Sequence, residues 1–400
     1  MKKILFVINT MGRAGAEMAL LDLLRALKQK DVELSLYVLT GQGEMIDKLP
    51  EGVTLLNKGY HNVSVLSAEG KKVLAKSSLK ALFKRGNCIR LLPYMLKNLL
   101  PMLKNKKILP DKLLWRCFSD AAPRFEEEFD LAVAYIEGGS TYYVMDHVNA
   151  KKKVAFFHTD YERAGYTRDL DKDCYLKYDK IFPISIGGKD TFLRYYPECT
   201  DKTVVFNNLI NCDRIRAMAD EEKGFTDDFK GYRILSIGRL VPLKEFEKSI
   251  EAMNLIKEQG INARWYVLGD GEMRDSLEQQ IKSLSLENDF FLLGVTDNPY
   301  SFLKHADIYV HASRYEGKSV AIQEAQVLEC PILVSNCSGN REQVVHEVDG
   351  LICELTPQDI CNGVIALLSD MERARNYGRE AAKRHTNGDT ELDKLLSLIE

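Results

Sequence analysis

Short apolar runs alternate with helical segments in both halves of the chain, and most of the runs are continuously apolar. In the first half, strands are predicted at 3–8, 34–39, 131–136, 153–157, 181–184 and 203–206. In the second half, they are predicted at 233–237, 265–268, 290–293, 308–311 and 332–334. The predicted helices include 16–28, 244–259 and 273–284. Continuous apolar strands between helices are typical of a parallel sheet covered on both faces. The pattern therefore predicts two doubly wound, Rossmann-like α/β domains.

The boundaries of the two domains follow from composition. The polar, charged stretch 213–231 lies between the two halves and is the predicted linker. We expect a first domain at 1–205 and a second at 206–385, with 386–400 forming a helix that crosses back to the first domain. Two such domains that face each other place a ligand cleft at the carboxyl ends of their strands.

The first domain contains a basic insert at about 62–120. Residues 71–110 include eleven Lys or Arg and no Asp or Glu. On a helix, three of the bases would form one stripe and four leucines would lie on the opposite side. The bases are Arg90, Lys97 and Lys104, and the leucines are Leu92, Leu96, Leu99 and Leu103. Pro101 is expected to kink or end the helix, so two short helices are predicted.

Two interpretations of this insert stay open at the level of sequence. The acid-free run favours attachment to an anionic membrane surface, where each base contributes about 1 kcal/mol. Alternatively, the insert is a solvated pair of helices whose leucines pack on the core.

Net charge, cysteine positions and hydropathy indicate which partners, which redox compartment and which kind of membrane association to expect. The net charge of −3 gives no indication of a nucleic-acid partner. The nine cysteines are scattered through apolar stretches without a Cys-x-x-Cys pair, which predicts buried thiols in a reducing compartment. The apolar start at 1–8 is too short for a signal peptide and is predicted to be the first strand. No segment has the roughly 20 apolar residues that span a bilayer, so we expect a soluble or peripheral protein.

Candidate chemistry concentrates at 313–325. A helix is predicted to begin at Ser319, after Gly317, with free backbone N–H groups that suit a phosphate. Glu316 and Glu324 would lie about 12 Å apart along the axis if the helical rise held throughout. Two carboxylates at that spacing could accept hydrogen bonds from both ends of an extended nucleotide sugar.

Two cations follow the strand predicted at 233–237. Arg239 comes just after its carboxyl end, and Lys244 opens the next helix. Both are expected to point toward the cleft, where a diphosphate needs positive partners.

Taken together, these motifs resemble the retaining GT-B glycosyltransferases of family 4. The resemblance covers nearly all of 232–355 in order and spacing and is weaker in the first half. Its second-half motifs are Gly238-Arg239 with Lys244, Leu268-Gly269-Asp270-Gly271 with Arg274 and Leu277, Glu316 with Glu324, Gly339-Asn340-Arg341-Glu342, and Asp349-Gly350-Leu351. Its first-half motifs are Gly12–Glu17 and Phe156-Phe157-His158-Thr159-Asp160.

The resemblance implies a role for each matched residue. Arg239 and Lys244 would neutralise the donor diphosphate and the departing nucleotide, which is electrostatic catalysis. Glu324 would hold the ribose hydroxyls, and Glu316 would lie near the transferred sugar. The remaining contacts implied are the backbone of Gly317, Lys318 and Ser319 with sugar and phosphate, His158 with the sugar, and Gly15 with the phosphates. Similar enzymes retain the anomeric configuration through front-face attack, so no protein nucleophile is assigned.

Some residues depart from the family pattern. Lys318 replaces an apolar or aromatic residue, and Glu245 stands where Gly is common. Ala14 replaces one glycine of the first loop, and Asn207-Asn208-Leu209 replaces Pro-Asn-Gly. Asp169-Leu170-Asp171 has the Asp-x-Asp form of a metal-dependent glycosyltransferase fold, but its charged surroundings predict a solvated surface segment. We expect neither a metal nor another cofactor.

The expected function is transfer of a hexose or N-acetylhexosamine from a UDP-sugar, or a GDP-sugar, to a saccharide or lipid-linked saccharide acceptor. This would serve cell-surface polysaccharide or glycolipid biosynthesis, in the cytoplasm and peripherally on the inner face of the plasma membrane. The alternatives are a nucleotide-sugar-binding scaffold without turnover, or another GT-B enzyme such as a nucleotide-sugar epimerase.

Overall fold

The computed structural model describes residues 1–65, 67–104, 106, 108–221, 224–385 and 389–399. It divides into two compact units, Met1–Leu209 with Asp389–Glu400, and Ile210–Gly388. The expected helix at 386–400 and the insert at 62–120 both include residues outside the described ranges. The described part contains no helix that is long and apolar enough to cross a membrane.

The first unit is built on a parallel six-stranded sheet in the order β3-β2-β1-β4-β5-β6. Its strands are β1 Lys2–Ile8, β2 Val32–Val38, β3 Val53–Leu55, β4 Phe129–Ala134, β5 Ala150–Phe157 and β6 Lys180–Pro183. Its helices are α1 Gly15–Leu27, α2 Ala68–Phe83, α3 Asn87–Arg90, α4 Leu92–Lys104, α5 Pro110–Ala121, α6 Gly139–His147, α7 Arg168–Asp171 and α8 Ile186–Tyr195.

Both faces of this sheet are covered, as its continuous apolar strands require. One face packs against α1, where Leu20 and Leu24 are fully buried. The other face carries many aromatic side chains, including Tyr142 of α6 and Phe192 of α8. The last helix of the chain, Asp389–Leu396, belongs to this unit and buries Leu395 in its core.

The strand predicted at 203–206 is wrong. This segment forms only an isolated bridge between Ile181 and Thr203, although Val204 and Phe206 donate backbone hydrogen bonds to the neighbouring β6 region. The sequence pattern also missed β3, which is a three-residue edge strand without a fully buried side chain. Short edge strands give too few apolar positions for a periodic signal.

The basic insert folds as α2 to α5, and the expectation that Pro101 kinks or ends its helix is wrong. Helix α4 continues through Pro101 to Lys104, although proline lacks the N–H that would bond to the carbonyl four residues earlier. Most of the leucine stripe does not pack on the core, although Leu99 is partly buried against a small cluster that includes Tyr94 and Met102. Instead Tyr94, Asn98 and Met102 are the buried residues of α4, whereas Leu96 and Leu103 are exposed.

The Asp-x-Asp segment is also not a solvated surface segment throughout. Asp171, the last residue of α7, is fully buried and accepts hydrogen bonds from the hydroxyls of Tyr142, at 2.7 Å, and Tyr161. Burial raises the pKa of Asp171 to about 6, against the opposing effect of these hydroxyls and of Arg116. This carboxylate is therefore part of the core of the first unit.

The second unit also has a parallel six-stranded sheet, in the order β12-β11-β10-β7-β8-β9. Its strands are β7 Tyr232–Ile237, β8 Ala263–Leu268, β9 Phe290–Gly294, β10 Ile308–His311, β11 Ile332–Ser335 and β12 Leu351–Cys353. Its helices are α9 Cys212–Glu221, α10 Phe246–Glu258, α11 Arg274–Ser283, α12 Tyr300–His305, α13 Val320–Val327, α14 Ser338–Gln343, α15 Pro357–Leu368 and α16 Met371–Ala382. The last helix of the chain, described above, is α17.

The predicted linker at 213–231 is wrong for most of its described length. Helix α9 occupies its first part and packs into the second unit through Ile215 and Ala219, which are four residues apart on one face. Further along, the Asp227 carboxylate pairs with Arg233 and Arg264 of the sheet. A few buried positions in a polar stretch are enough to make it part of a domain.

Candidate active site

The candidate site of the second unit lies where β7 and β10 end. After β7 the chain passes through Gly238 and Arg239 to a short 3₁₀ turn, Pro242–Lys244. The Lys244 side chain lies along Gly238, where an added Cβ would approach Lys244 Cε to 3.4 Å. The lysine is therefore held against the strand end, and its ammonium group is directed to the end of β10.

Lys244, His311 and Glu316 form one cluster. Lys244 Nζ lies 2.5 Å from Glu316 Oε1, and His311 Nε2 lies 2.9 Å from the same oxygen. The side chains of Lys244 and Glu316 are only 16% and 13% exposed. A pair so poorly hydrated interacts more strongly than a surface ion pair. The structure thus brings together two residues that the sequence assigned to the site and adds a third.

The contacts of His311 favour one tautomer of its ring. The Tyr309 hydroxyl lies 2.8 Å from Nδ1, and Nε2 lies 2.9 Å from Glu316 Oε1 and 3.3 Å from Lys244 Nζ. Because an ionised carboxylate only accepts hydrogen bonds, we assign the proton to Nε2, and Nδ1 then accepts from the Tyr309 hydroxyl. Burial and the Lys244 ammonium lower the pKa of His311, against the opposing pull of Glu316. The imidazole is therefore neutral at physiological pH.

The Glu316 carboxylate is ionised. Its burial by itself would raise the pKa, but the Lys244 ammonium and the hydrogen bond from His311 outweigh burial and hold the pKa well below its usual range. The cluster therefore presents a fixed negative charge beside a positive one at the strand ends.

Glu324 lies on α13, and Glu316 precedes that helix. The helical rise does not hold from one to the other, because α13 begins at Val320 with Ser319 as its N-cap. Glu324 is buried, and its Oε1 accepts a hydrogen bond of 3.1 Å from the Tyr300 hydroxyl. The two carboxylates thus have different partners and lie in different local structures.

The expectation of a free N–H at Ser319 is wrong. The Ser319 N–H donates to Gln343 Oε1 at 2.6 Å, and Gln343 Nε2 donates to the Ser319 carbonyl at 2.8 Å. The Gln343 side chain therefore takes the place of a capping partner at this helix end. No sequence pattern indicated Gln343, which lies 24 positions from Ser319 along the chain.

The loop that carries Glu316 packs tightly on α14. A Cβ at Gly339 would lie within the contact distance of the carbonyl oxygens of Glu316 and Gly317. Only glycine permits this approach, which fixes the loop next to the helix. The neighbouring Lys318 is half-buried.

Arg239 is not part of the Lys244 cluster. Its side chain is exposed and forms no hydrogen bond or ion pair with the residues that the structure describes. It shares only the β7–α10 loop with Lys244. The structure therefore does not show the two cations converging.

The departure at Glu245 has a structural explanation. Glu245 has φ +49°, in the left-handed region that glycine tolerates best. Its buried carboxylate pairs with Arg314, and with Lys248 Nζ at 3.3 Å. These ion pairs tie the start of α10 to the loop after β10 and offset the strained backbone.

In the first unit, His158 follows the carboxyl end of β5. Its ring is half-buried against Tyr135, with ring centroids 4.8 Å apart, and its backbone N–H donates to Glu137 Oε2 at 3.0 Å. Burial lowers the pKa of His158 to about 4. Nε2 is shielded from solvent and has no hydrogen-bond partner among the described residues.

Gly15 is the exposed first residue of α1, and its φ is not in the left-handed region. Its place at a helix start suits an approaching anion, but the backbone there does not require glycine. The buried Glu137, which also accepts a 2.5 Å hydrogen bond from the Thr159 hydroxyl, was not singled out from the sequence.

His311 was also missed, although the sequence contained a signal for it. It is the one histidine in the largely apolar strand Ile308–His311, five positions before Glu316. A histidine at the carboxyl end of a buried strand is a candidate for a site in an open α/β sheet.

The described residues contain no group of three or more His, Cys, Asp or Glu side chains that could hold a metal ion. The nine cysteines are free, and seven of them are buried, as expected for small apolar side chains.

Comparison with known proteins identifies the second unit. Residues 220–384 match the family model for glycosyl transferases group 1. A stretch of 212 residues, 52% of this chain, is 29% identical to the N-acetylgalactosamine-N,N'-diacetylbacillosaminyl-diphospho-undecaprenol 4-alpha-N-acetylgalactosaminyltransferase of Campylobacter jejuni. Another of 155 residues, 38% of the chain, is 30% identical to the UDP-Gal:alpha-D-GlcNAc-diphosphoundecaprenol alpha-1,3-galactosyltransferase of Escherichia coli. The matches span only 56% and 40% of those two proteins.

The fold of the whole chain has counterparts among solved structures. The crystal structure of Anabaena HepE in complex with UDP-glucose matches it with a TM-score of 0.68 at 15% identity, over 99% of this chain and 100% of that one. This similarity confirms the predicted GT-B fold. The second unit of this chain matches the glycosyl transferases group 1 family, which its motifs resemble, and the chain as a whole has the GT-B fold.

Proposed function

We propose that this chain is a retaining, metal-independent glycosyltransferase that moves a hexose or N-acetylhexosamine from a nucleoside diphosphate sugar to a saccharide or lipid-linked saccharide. The observation that carries the proposal is the cluster of Lys244, His311 and Glu316 at the strand ends of a group 1 domain. The names of the two relatives support a diphospho-undecaprenol-linked acceptor. A UDP-linked donor is supported by the E. coli relative and the HepE complex, and a GDP-sugar is the second candidate.

The chemistry we assign to the cluster is electrostatic. Lys244 has a flexible four-carbon chain, so its ammonium group can exchange the Glu316 oxygen for a phosphate oxygen of the donor. A fixed cation beside the leaving diphosphate stabilises the negative charge that develops as the glycosidic bond breaks. Glu316, released from Lys244 but still bonded to His311, accepts a hydrogen bond from a hydroxyl of the transferred sugar. Arg239, which is exposed and unpaired within the described residues, adds a second positive charge to the diphosphate.

The other proposed contacts are with the nucleoside and the sugar. Glu324 accepts hydrogen bonds from the ribose hydroxyls, and its bond to Tyr300 keeps the carboxylate oriented. The backbone of Gly317, Lys318 and Ser319 faces sugar and phosphate, although the Ser319 N–H is engaged by Gln343. For the first unit we propose that His158 contacts the sugar and Gly15 the phosphates. The chain is proposed to act in the cytoplasm, at an anionic membrane surface.

Removal of the Lys244 ammonium tests the proposed catalysis. We expect Lys244→Ala to lower UDP release from the accepted donor by about 10² to 10³-fold, the effect of removing one stabilising group from such a site. The measurement is nucleotide release with UDP-glucose, UDP-galactose, UDP-N-acetylglucosamine and GDP-mannose. Lys248→Ala is the matched control, because Lys248 also pairs with a carboxylate at the start of α10.

The same assay separates the enzyme from a binding scaffold. Tight nucleotide binding without release, with any of the donors and with added acceptor, would show a protein without turnover. Release that is unchanged in Lys244→Ala would remove the lysine from the mechanism.

Donor affinity distinguishes the two glutamates. Glu324→Ala is expected to weaken UDP binding about tenfold or more, because hydrogen bonds to a charged group each contribute about 1.5 to 3 kcal/mol. Glu316→Ala should weaken it less, since its loss frees Lys244 for the diphosphate. Calorimetric titration with UDP measures both, and Glu287→Ala, an exposed glutamate, is the control. The reverse order would contradict the assigned roles.

A further inference from the structure

The outer side of α4 is apolar. Leu92, Leu96, Leu100 and Leu103 are between 49% and 64% exposed. At about 100° per residue they lie within about 80° of arc, so they form one stripe along the helix. Lys97 and Lys104 flank this stripe and are exposed as well. A helix with four leucines in a row toward solvent is unusual for a surface that remains in water.

The outer side of α2 combines the same two kinds of side chain. Leu79 and Phe83 are 59% and 63% exposed, four residues apart. Lys72 and Lys76 are exposed and lie within about 60° of arc of them. Between the two helices, α3 adds Ile89, which is also exposed.

Both surfaces point away from the core of the first unit. Helix α5 lies beneath α2 and α4 and contacts both of them, and it packs on α6 on its other side. Asn87 donates to the carbonyls of Ala81 and Cys117, which ties α2, α3 and α5 together. Since α2 and α4 turn their buried sides to α5, their exposed sides lie on the far side of this layer.

The charge of this region differs from that of the chain. The eleven Lys or Arg and no Asp or Glu at 71–110 stand against a net charge of −3 for the whole protein. The acidic partners that the described structure provides are few, such as Asp169, whose Oδ1 lies 2.7 Å from Lys97 Nζ. Exposed leucines are stabilised in an apolar environment, and lysines are stabilised next to anionic groups. The surface of an anionic bilayer provides both, in its acyl chains and its phosphates.

We propose that the outer faces of α2 and α4 dock on an anionic lipid bilayer, with the leucines and Phe83 entering the headgroup region and the lysines contacting lipid phosphates. The purpose of this docking rests on the proposed function, because docking would hold the enzyme at the membrane surface that contains a lipid-linked acceptor. The docking itself needs no turnover. It can therefore be tested without an identified acceptor.

Vesicle flotation of the full chain tests the docking surface. The probes are vesicles of phosphatidylcholine alone and of phosphatidylcholine with phosphatidylglycerol, at low and at high salt. We expect binding only to the anionic vesicles, weakened at high salt because charge attraction is screened. Two double variants address the two components, Leu96→Gln with Leu100→Gln on α4 and Lys72→Gln with Lys76→Gln on α2. Each should weaken binding by about tenfold or more.

Matched controls remove the same groups elsewhere. Val345→Gln with Val348→Gln replaces two exposed apolar residues of the second unit, and Arg375→Gln with Arg379→Gln replaces two exposed bases of α16. Both controls should bind anionic vesicles like the unaltered chain. Equal binding of the unaltered chain to neutral and anionic vesicles, or an equal loss in controls and test variants, would overturn the proposal.

The same experiments distinguish a lipid bilayer from a second copy of this chain as the partner of this surface. If the unaltered chain does not float and is a dimer in solution that Leu96→Gln with Leu100→Gln dissociates, the face is an interface between copies and not a membrane surface. Calorimetric titration with UDP in the absence of vesicles separates this result from the proposed function. Docking variants that keep UDP affinity but lose vesicle binding show the surface alone to be altered. If UDP binds neither the unaltered chain nor the variants, while the unaltered chain still floats with anionic vesicles, the proposed donor is contradicted and the docking surface is not.

Discussion

Each unit of this protein presents a histidine after or at the carboxyl end of a central strand, and the two histidines differ in what their nitrogens contact. Both nitrogens of His311 are engaged, one by the Tyr309 hydroxyl and the other by Glu316. His158 Nε2 has no partner among the described residues. The pKa of each is lowered, largely by burial. Both imidazoles are therefore neutral near pH 7, yet only His158 keeps a nitrogen uncommitted within the described part of its unit.

This difference indicates two kinds of role. His311 contacts the Glu316 carboxylate that pairs with Lys244, so we propose that it positions these two side chains. A buried polar atom without a partner is unfavourable for stability, so His158 is the better candidate for direct contact with a ligand. Burial alone would not have distinguished the two residues.

We expect replacement by glutamine to lower kcat more at His158, in the first unit, than at His311, in the second. His158→Gln should lower kcat about 10²-fold, because it replaces the group that we assign to the sugar. His311→Gln should lower kcat only about tenfold, because a glutamine amide can still donate to Glu316. Steady-state kinetics with the accepted donor give both values, and circular dichroism checks that both variants fold.

The expected ranking can fail in an informative way. If His311→Gln has the larger effect on kcat and alters the pH–rate profile, His311 takes part in the chemistry and the positioning role is wrong. If neither substitution changes kcat or KM, the two histidines serve only the stability of their units.

A smaller effect is expected in the pH dependence of stability. In the unfolded chain His158 titrates with the ordinary pKa of about 6.5, and in the folded chain with a pKa of about 4. The neutral His158 therefore contributes its full share to the free energy of unfolding above pH 6.5, and this contribution is lost as the pH falls toward 4. Between pH 7 and 5.5 the loss amounts to about 1 kcal/mol. His158→Gln, which does not titrate, should therefore lose less stability than the unaltered chain over that interval.

Denaturant unfolding of both proteins at pH 7 and 5.5 measures this difference. Asp171 acts in the opposite direction, since a pKa of about 6 makes the folded form bind a proton that the unfolded form does not. Its contribution is the same in both proteins and cancels in the comparison. An identical pH dependence would show that His158 is well hydrated in solution.

The sequence by itself predicted most of the fold and part of the site. The two parallel sheets follow from continuous apolar strands, because a strand buried on both faces has no room for polar positions. Lys244 and Glu316 were assigned from motifs, and the structure places them 2.5 Å apart. The strand predicted at 203–206 and the linker predicted at 213–231 were wrong for the same reason. In each segment, the tertiary contacts of a few residues determined the secondary structure and the unit to which the segment belongs.

Only the tertiary structure decided which side chains share a contact. Gln343, the partner of Ser319, and Arg314, the partner of Glu245, lie on other elements or loops, and no local pattern encodes such pairs. It also decided which side of α4 faces outward, since Tyr94 and Met102, rather than the leucines, pack inward. Periodicity determines which residues share a helix face, but the rotation of that helix depends on the shape of the surface it packs against.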